Sequence, residues 1–489
     1  MEIKEQKKVI IYKKLEEIIA GLEKEAKSSN KVHKVELSLF RRLLVLGQLL
    51  LKYYISLVRD IQVKQGTPKD SGGKKMENKG NKSSPYFSVF GKIQIGRTKY
   101  YSKLDKTYYA LDEALGLPKD SYSYVLTDWM SYGSVEMDFD QSVKQLERIL
   151  GHCLWGMQSS RQTYRLSEQV DTYYAKKDWS AQEETGTHFS VGYDGKGVPI
   201  IRSETDRAEE SVVARLGRGK KRGVKKEATV SVSSSFTAKK RSSEEIIAAL
   251  FHKEEFFENR PKSKKQVWHE NKHVRAFLSD KVKAIAYGID NILKRDKTNS
   301  KPIIVLIDGD RALENAALKI IKEKGIEKRV EAFILDFIHL LEYVWKVANV
   351  KLGEKHPDRE SWVETQARLL LNSQTEKVLT EWREIEKEKE LTTTQDEKLK
   401  KAITYLNNHK HMVKYKTYLQ RGYPITTGAV ESACGHFIKS RMERNAMHWG
   451  KKSAQEMMNI RAIKKNDNWD DYLDDFIEQE QKQLYPKLN

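Results

Sequence analysis

Two aspartates follow apolar segments whose composition predicts buried β-strands. Asp194 ends Val191-Gly-Tyr-Asp, Asp308 ends Val305-Leu-Ile-Asp, and a glycine follows each of them, which lets backbone or ligand approach closely. Carboxylates on neighbouring strands repel each other, and a divalent cation between them removes that cost; oxygen ligands suit Mg²⁺. For either aspartate taken singly, ordinary Asp-Gly turn chemistry is the stronger interpretation. The pair in one sheet of a basic protein favours a metal site.

A third acidic ligand has to come from a helix, and Glu431 is the candidate. The segment Thr426-Thr427-Gly428 is a suitable helix start, which places Glu431 in the first turns of the predicted helix. Ala429, Cys434 and Phe437 then face inward. Taken alone, this position is weak evidence.

Strands and helices alternate around the two aspartates. The predicted elements are, in order, a strand, turn and strand over 188–201, a strand over 228–236, a helix over 243–251, a strand over 302–307, a helix over 310–322 and a strand over 330–335. This order predicts an α/β domain with a mixed central sheet. Residues 342–421 are predicted to be almost wholly helical, ending at Gly422 and Pro424.

The N-terminal region is predicted to be helical and then flexible. Residues 2–60 form two amphipathic helices, and the second has a broad apolar face that must be buried inside the protein or against another copy. That face consists of Leu39, Leu43, Leu46, Leu50, Tyr53 and Leu57. Residues 64–85 read as a flexible linker, which ends at a hairpin around Gly91.

Residues 138–178 predict a helix, a break at Gly151 and a second helix capped by Ser159 or Ser160. The second helix bears Arg161, Gln162 and Arg165, which suits the recognition helix of a DNA-binding helix-turn-helix. An ordinary helical hairpin with exposed arginines explains the pattern equally well.

Charge and composition favour a polyanionic partner. The 489 residues contain 89 Lys and Arg against 69 Asp and Glu, a net charge of +20, and basic side chains on phosphate release condensed counterions. Nucleic acid is the first expectation and an acidic membrane surface the second.

Two cysteines exclude a disulfide framework, no apolar run reaches the ~20 residues of a membrane span, and the first residues lack a signal-peptide pattern. We expect a cytoplasmic protein.

His269-Glu-Asn-Lys-His273 matches the zinc-protease pattern, which needs both histidines on one face of a helix in a core. Lys272 stands inside the motif and Lys264 and Lys265 just precede it, so a helix here would be solvated. A zinc site is not expected.

Six segments, in order, resemble transposases of bacterial insertion sequences of the ISKra type, relatives of the Mutator-like DDE enzymes. They are Tyr193-Asp-Gly-Lys-Gly-Val-Pro, Leu216-Gly-Arg-Gly-Lys-Lys-Arg-Gly-Val, Ile307-Asp-Gly-Asp-Arg-Ala-Leu, Leu335-Asp-Phe-Ile-His-Leu-Leu-Glu-Tyr, Tyr423-Pro-Ile-Thr-Thr-Gly-Ala-Val-Glu-Ser-Ala-Cys and Lys439-Ser-Arg-Met-Glu-Arg-Asn-Ala-Met-His-Trp. The resemblance covers roughly residues 86–465. Many relatives have paired cysteines near residues 101–108, where this chain has none, so a zinc ribbon is excluded there.

The resemblance implies an RNase H-like domain whose Asp194, Asp308 and Glu431 form a DDE triad. The triad would bind two Mg²⁺ ions, with Mn²⁺ able to substitute, for phosphoryl transfer. Asp310 is the rival of Asp308, which is preferred because it is nearer the strand end. Asp336 and His339 match a motif of such enzymes and are expected to support the site rather than bind metal.

Several basic side chains are candidates for contacts with DNA. Six of the nine residues from Arg218 to Lys226 are basic, and this loop between two catalytic strands favours phosphate contacts over a merely solvated patch. The candidates in that loop are Lys220, Lys221, Arg222, Lys225 and Lys226. Arg441 and Arg444 follow Glu431 and are candidates for clamping DNA near the scissile phosphate, whereas Trp449 is expected in the core.

The expected fold is therefore multidomain, with an α/β RNase H-like catalytic domain, a helical insertion and an N-terminal helical and helix-turn-helix-like DNA-binding region. The expected divisions are 1–63 (N-terminal helices), 64–85 (linker), 86–137 (small β region), 138–178 (helix-turn-helix), 186–341 and 422–466 (catalytic core), 342–421 (insertion) and 467–489 (C-terminal tail). The expected function is Mg²⁺-dependent cleavage and transfer of double-stranded DNA at the terminal repeats of an insertion sequence, by a nucleoid-associated dimer or larger assembly. A nuclease without strand transfer and a catalytically idle DNA-binding protein are the alternatives.

Overall fold

The computed structural model describes residues 2–152, 154–179, 184–201, 224–252, 269–388, 390–444 and 447–486, and at positions 2–4, 224, 388, 429 and 431 only the backbone. The chain divides into two compact units: Met1–Ala175 with Asp467–Asn489, and Lys176–Asn466. A multidomain protein of mixed α/β content is therefore confirmed. Among the described residues, no helix is both long and apolar enough to span a bilayer.

The first unit combines a helical hairpin, a small antiparallel sheet and a group of shorter helices. Its elements are α1 (Glu2–Lys27), α2 (Val32–Gln65), β1 (Glu77–Ser88), β2 (Gly91–Ser102), β3 (Lys106–Tyr108), α3 (Ala110–Leu115), α4 (Tyr124–Ser134), α5 (Phe139–Leu150), α6 (Gly156–Ser167), α7 (Val170–Lys176) and α18 (Trp469–Leu484). The sheet has the order β1-β2-β3. Gly91, with φ of +98°, closes the β1–β2 turn in a conformation that favours glycine.

Two predicted divisions of this unit differ from the structure. Strand β1 begins at Glu77, inside the predicted linker. Its polar residues pair with β2, and the pairing extends to Glu77 opposite Tyr101. The predicted C-terminal tail contains helix α18, whose Tyr472 hydroxyl donates to the carbonyl of Leu166 and whose Trp469 Nε1 donates to Asp128 at 2.7 Å. Buried aromatic side chains of α18 thus complete the core of the first unit.

The second unit is built on a five-stranded mixed sheet with the order β6-β5-β4-β7-β8. Its strands are β4 (His188–Ile200), β5 (Val224–Phe236), β6 (Glu270–Leu278), β7 (Ile303–Ile307) and β8 (Val330–Leu335). Strand β5 is antiparallel to β4 and β6, and β4, β7 and β8 are parallel. Every residue of β7 is buried, as expected of a central parallel strand covered on both faces.

Helices cover both faces of this sheet and continue into the predicted helical block. They are α8 (Ser243–Leu250), α9 (Lys281–Arg295), α10 (Arg311–Glu323), α11 (Phe337–Lys351), α12 (Arg359–Leu371), α13 (Thr375–Glu388), α14 (Thr393–Asn408), α15 (Tyr415–Arg421), α16 (Gly428–Ala433) and α17 (Lys451–Lys465). After α16 the chain continues through a π-helical turn, Cys434–Lys439, and a short helix, Ser440–Met442. One apolar core runs from the sheet into α12–α15, so the helical block packs as part of this unit.

Two details of the predicted sheet are wrong. Residues 188–200 form one continuous strand instead of two strands and a turn, because β4 pairs with β5 along its whole length. Strand β6 was not predicted, since its polar sequence Glu-Asn-Lys-His-Val-Arg lacks the apolar alternation of a strand.

Candidate active site

Asp194 and Asp308 lie side by side at the same edge of the sheet. In the parallel pair β4–β7, Gly192 is opposite Leu306, and each aspartate lies two residues beyond its member of that pair. Because side chains alternate across a strand, residues two apart share a face. Asp194, in the middle of β4, and Asp308, just after the end of β7, therefore lie on one face of adjacent central strands, and both are partly buried.

The charge at this edge is not fully compensated by the protein. Burial raises the pKa of Asp308, and the neighbouring carboxylates Asp194 and Asp310 raise it further. A hydrogen bond from the Asp310 amide, 3.0 Å from Oδ1 of Asp308, and the nearby His339 act in the opposite direction but do not prevail. Two neighbouring carboxylates, one of which has a raised pKa, are suited to binding a divalent cation, which would stabilise their ionised forms.

Helix α16, which carries Glu431, packs on the face of the sheet that holds both aspartates. A Cβ added to Gly192 would lie 2.4 Å from Cγ2 of Val430, so the helix approaches β4 where a side chain is absent. Glu431 follows Val430 directly, and only its backbone is described. The π-helical turn begins three residues after Glu431, and such turns occur often at functional sites.

We expect Gly192→Ala to reduce activity without changing any acid, because the new methyl group must displace the stiff side chain of Val430 and with it the Glu431 helix. A displacement of about 1 Å typically costs about 100-fold in rate. Gly96→Ala on β2 is the control, since its methyl would make only an ordinary contact, 3.7 Å from the Arg59 side chain. The metal-dependent DNA cleavage that the sequence resemblance implies measures the difference between the two variants, and equal rates would contradict the packing argument.

Asp310 is the other acid next to Asp308, and its carboxylate has partners of its own. Its side chain caps α10 by accepting from the Ala312 amide at 2.7 Å, and it pairs with Lys281, which also contacts Glu227 at 3.2 Å. Although burial acts to raise the pKa of Asp310, these bonds hold it below its usual range. A structural role explains every described contact of Asp310, which favours Asp308 as the partner of Asp194.

Asp336 joins the end of β8 to the segment that precedes α16. Its Oδ1 accepts from the amides of Ile338 at 2.7 Å and His339 at 3.2 Å, which caps α11. Its Oδ2 accepts from the amide of Thr427 at 2.8 Å and from the Thr427 hydroxyl. Asp336 is 1% exposed, and burial raises its pKa despite these bonds. Its two oxygens thus hold the start of the Glu431 helix against the sheet.

The helical block contributes Tyr405 to the same edge, which the sequence did not indicate. The Tyr405 hydroxyl donates to the carbonyl oxygen of Asp308 at 2.6 Å, and its ring stacks on Tyr343 with centroids 4.0 Å apart. The ring also fills the space beside Gly309, where φ is +89°. His339 is half-buried next to these two rings. The block therefore fixes the backbone of the Asp308 turn.

The predicted DNA-contacting residues of the second unit fall into three groups. Lys225, Lys226 and Arg444 are exposed, and Lys225 pairs with Glu443 at 2.7 Å. Lys220, Lys221 and Arg222 lie outside the described residues. The expectation for Arg441 is wrong, because Arg441 is fully buried with its guanidinium 4.9 Å from the centre of the Trp449 ring. Trp449 is buried as expected.

The predicted recognition helix also differs from expectation. Arg161 is exposed, but Gln162 is fully buried and bonds to Thr127 and to Asp120. Arg165 donates to the carboxylate of Glu480 on α18. Gln162 and Arg165 therefore hold the first unit together in this structure, and only Arg161 of the three is placed to meet DNA.

The His-Glu-x-x-His motif lies at strand β6 and not on a helix. Its histidines contact their own unit: Nδ1 of His269 lies 2.9 Å from the Ser234 hydroxyl, and Nε2 of His273 lies 2.7 Å from the Tyr287 hydroxyl. A strand separates the two histidines differently from the helical geometry of a zinc protease. Both are instead part of the packed edge of the sheet.

These histidines predict that the second unit loses stability in mild acid. Burial, with the nearby Lys272 and Arg241, lowers the pKa of His269 from 6.5 to about 4. The unfolded chain therefore binds more protons below pH 6.5, and stability falls as the pH decreases from 6.5 towards 4, by about 2 kcal/mol at pH 5. We expect His269→Gln to lose less stability than wild type between pH 7 and 5 in urea unfolding. The exposed His252→Gln should follow wild type; identical profiles for all three would contradict the assignment.

Among the described side chains, no group of three or more His, Cys, Asp or Glu is placed to hold a metal ion. The side chain of Glu431 is not among them, so the three acids are not tested as a set. No model of a known protein family matches the chain, and a search of curated proteins finds no match.

Proposed function

We propose that this protein is a DDE-type DNA transposase that cleaves the ends of an insertion sequence and joins them to target DNA. The observation that carries the proposal is the placement of Asp194 and Asp308 on one face of adjacent strands, under the helix that bears Glu431. The mixed sheet of the second unit supports the RNase H-like fold that the sequence resemblance implies.

In this proposal, Asp194, Asp308 and Glu431 hold two Mg²⁺ ions, with Mn²⁺ able to substitute. The bound ions would polarise the scissile phosphate, activate water or a 3′-hydroxyl and stabilise the leaving oxygen. The protein's own task is positioning. Asp336 fixes the Glu431 helix through Thr427, and Tyr405 fixes the Asp308 turn.

The proposed partner is double-stranded DNA, both the terminal repeats and the target. A net charge of +20 and the exposed Arg161, Lys225, Lys226 and Arg444 support it.

We further propose a dimer, because two ends must be joined. The apolar face of α2 remains partly open in the single chain, with Leu43 and Leu50 each 47% exposed, and a second copy would cover it.

The test is incubation of the purified protein with DNA that carries candidate element ends, in Mg²⁺ or in EDTA. The proposal expects Mg²⁺-dependent nicks at the ends and joined products, both abolished by Glu431→Ala. Lys452→Ala, an exposed change on α17, is the control and should keep activity. Cleavage without joined products would establish the nuclease alternative. Specific binding without cleavage in Mg²⁺ or Mn²⁺ would establish the idle DNA-binding protein.

A further inference from the structure

The first unit contains a cavity of about 360 Å³ that the proposed chemistry does not use. It lies between the β1–β3 sheet, the loop that follows α3 and the end of α18. A volume of roughly 300 Å³ or more is in the range of small-ligand sites. The cavity is large enough for one nucleotide.

Aromatic side chains form much of its wall. Tyr86, Tyr108, Tyr109 and Tyr485 all line it. The hydroxyl of Tyr108 donates to Glu113, and that of Tyr485 donates to the carbonyl of Leu117 at 2.8 Å. The hydroxyls of Tyr108 and Tyr485 are therefore already bonded, which leaves their rings as the groups available to a ligand. Their flat surface suits stacking against a planar ring.

The cavity also has a polar end formed by Arg97 and Asp112. The two side chains form an ion pair in which both are mostly buried, and Arg97 lies 4.6 Å over the ring of Tyr109. Arg97 Nε and Asp112 Oδ1 are buried and bond to none of the described residues. An unpaired buried donor and acceptor are costly. Both side chains line the cavity, so the polar edge of a nucleobase, which carries donors and acceptors, would meet this ion pair.

The chain around the cavity is basic, while the lining itself balances Arg97 and Lys119 against Asp112 and Asp120. Between Lys74 and Lys119 the chain has ten basic and four acidic residues. Lys119 lines the cavity and is exposed. Aromatic platforms beside basic side chains are the usual means of binding single-stranded nucleic acid.

We infer that this cavity binds one unpaired nucleotide of a DNA strand. Its base stacks on the tyrosines, the polar edge of the base meets Arg97 and Asp112, and Lys119 contacts its phosphate. The proposed function concerns duplex ends and strand transfer, whereas this site recognises a base that is out of the duplex. It requires no cleavage and does not depend on the three acids.

Fluorescence anisotropy with the full-length protein in EDTA at one fixed salt concentration tests the inference. The probes are a labelled duplex and the same duplex with a three-nucleotide single-stranded extension. We expect roughly tenfold tighter binding of the extended probe, as stacking of one base supplies. An extension with abasic sugars should lose this preference. Equal affinity for all probes, or an unchanged preference with the abasic extension, would overturn the inference.

Two pairs of variants locate the site. Tyr109→Leu and Lys119→Ala should lose the preference, whereas Tyr100→Leu on β2 and the exposed Lys103→Ala, which do not line this cavity, should keep it. Circular dichroism checks folding, and Lys119→Ala removes only an exposed side chain. Competition by free deoxynucleotide at micromolar concentration would show that the site takes free nucleotides and not a strand, which would also overturn the inference. Preference retained in both cavity variants would do the same.

Discussion

Asp308→Asn should abolish DNA cleavage, with a loss of at least about 100-fold, while Asp310→Asn should stay within about threefold of wild type. Removing a charged metal ligand costs more than the 10–100-fold typical of residues that only support a ligand. Asp308 shares its face with Asp194, whereas Asp310 caps α10, and asparagine is as good a cap as aspartate. Cleavage assays in Mg²⁺ with both variants measure the contrast.

The same substitution should leave the folded protein at least as stable as wild type in EDTA. The pKa of Asp308 is raised by burial and by its acidic neighbours, so ionising this carboxyl costs more in the folded state than in the unfolded chain. A neutral asparagine removes that cost. Mg²⁺ should raise the thermal midpoint of wild type and much less that of Asp308→Asn. The assignment of the two aspartates would be reversed if Asp308→Asn were less stable than wild type in EDTA. It would also be reversed if Asp308→Asn kept full activity while Asp310→Asn lost it.

The acids were predictable from the sequence because each follows a strand that short apolar runs identify. Asp194 and Asp308 end such runs, and the buried β7 has an apolar residue at every position. Their pairing in one register is a contact between distant segments, which no local pattern determines. Strand β6 could not be predicted, because it buries polar residues, Arg275 and His273, where a buried strand is expected to have apolar ones. Both are bonded to partners in the same unit that are distant in sequence.

The DNA-contacting residues were less predictable for a related reason. A short sequence window shows that a helix bears arginine and glutamine but not which side of the helix is buried. Gln162 and Arg165, three residues apart, lie on one side of α6 and bond within the first unit. Arg441 is buried over Trp449 in the second unit. Burial of long polar side chains depends on partners far away in sequence, such as Glu480 for Arg165.

Asp336→Asn should reduce DNA cleavage far more than it reduces stability. One oxygen of Asp336 caps α11 and the other accepts from the amide and hydroxyl of Thr427. Asparagine keeps one side-chain oxygen as an acceptor, and asparagine is a good residue for capping α11. Its amide group then faces two donors of Thr427 and cannot accept from either. The start of the Glu431 helix loses its anchor while most of the unit stays folded.

Asp336→Ala separates these two effects, because it removes both the cap and the anchor. We expect it to cost on the order of 3 kcal/mol in urea unfolding, against about 1–2 kcal/mol for Asp336→Asn, with cleavage lost in both. Thr427→Val keeps the backbone amide and removes only the hydroxyl, so its cleavage rate should lie between those of wild type and Asp336→Asn. If Asp336→Asn cleaved at the wild-type rate, Asp336 would act only as the cap of α11, and Glu431 would be held by the packing of Val430 on Gly192 alone.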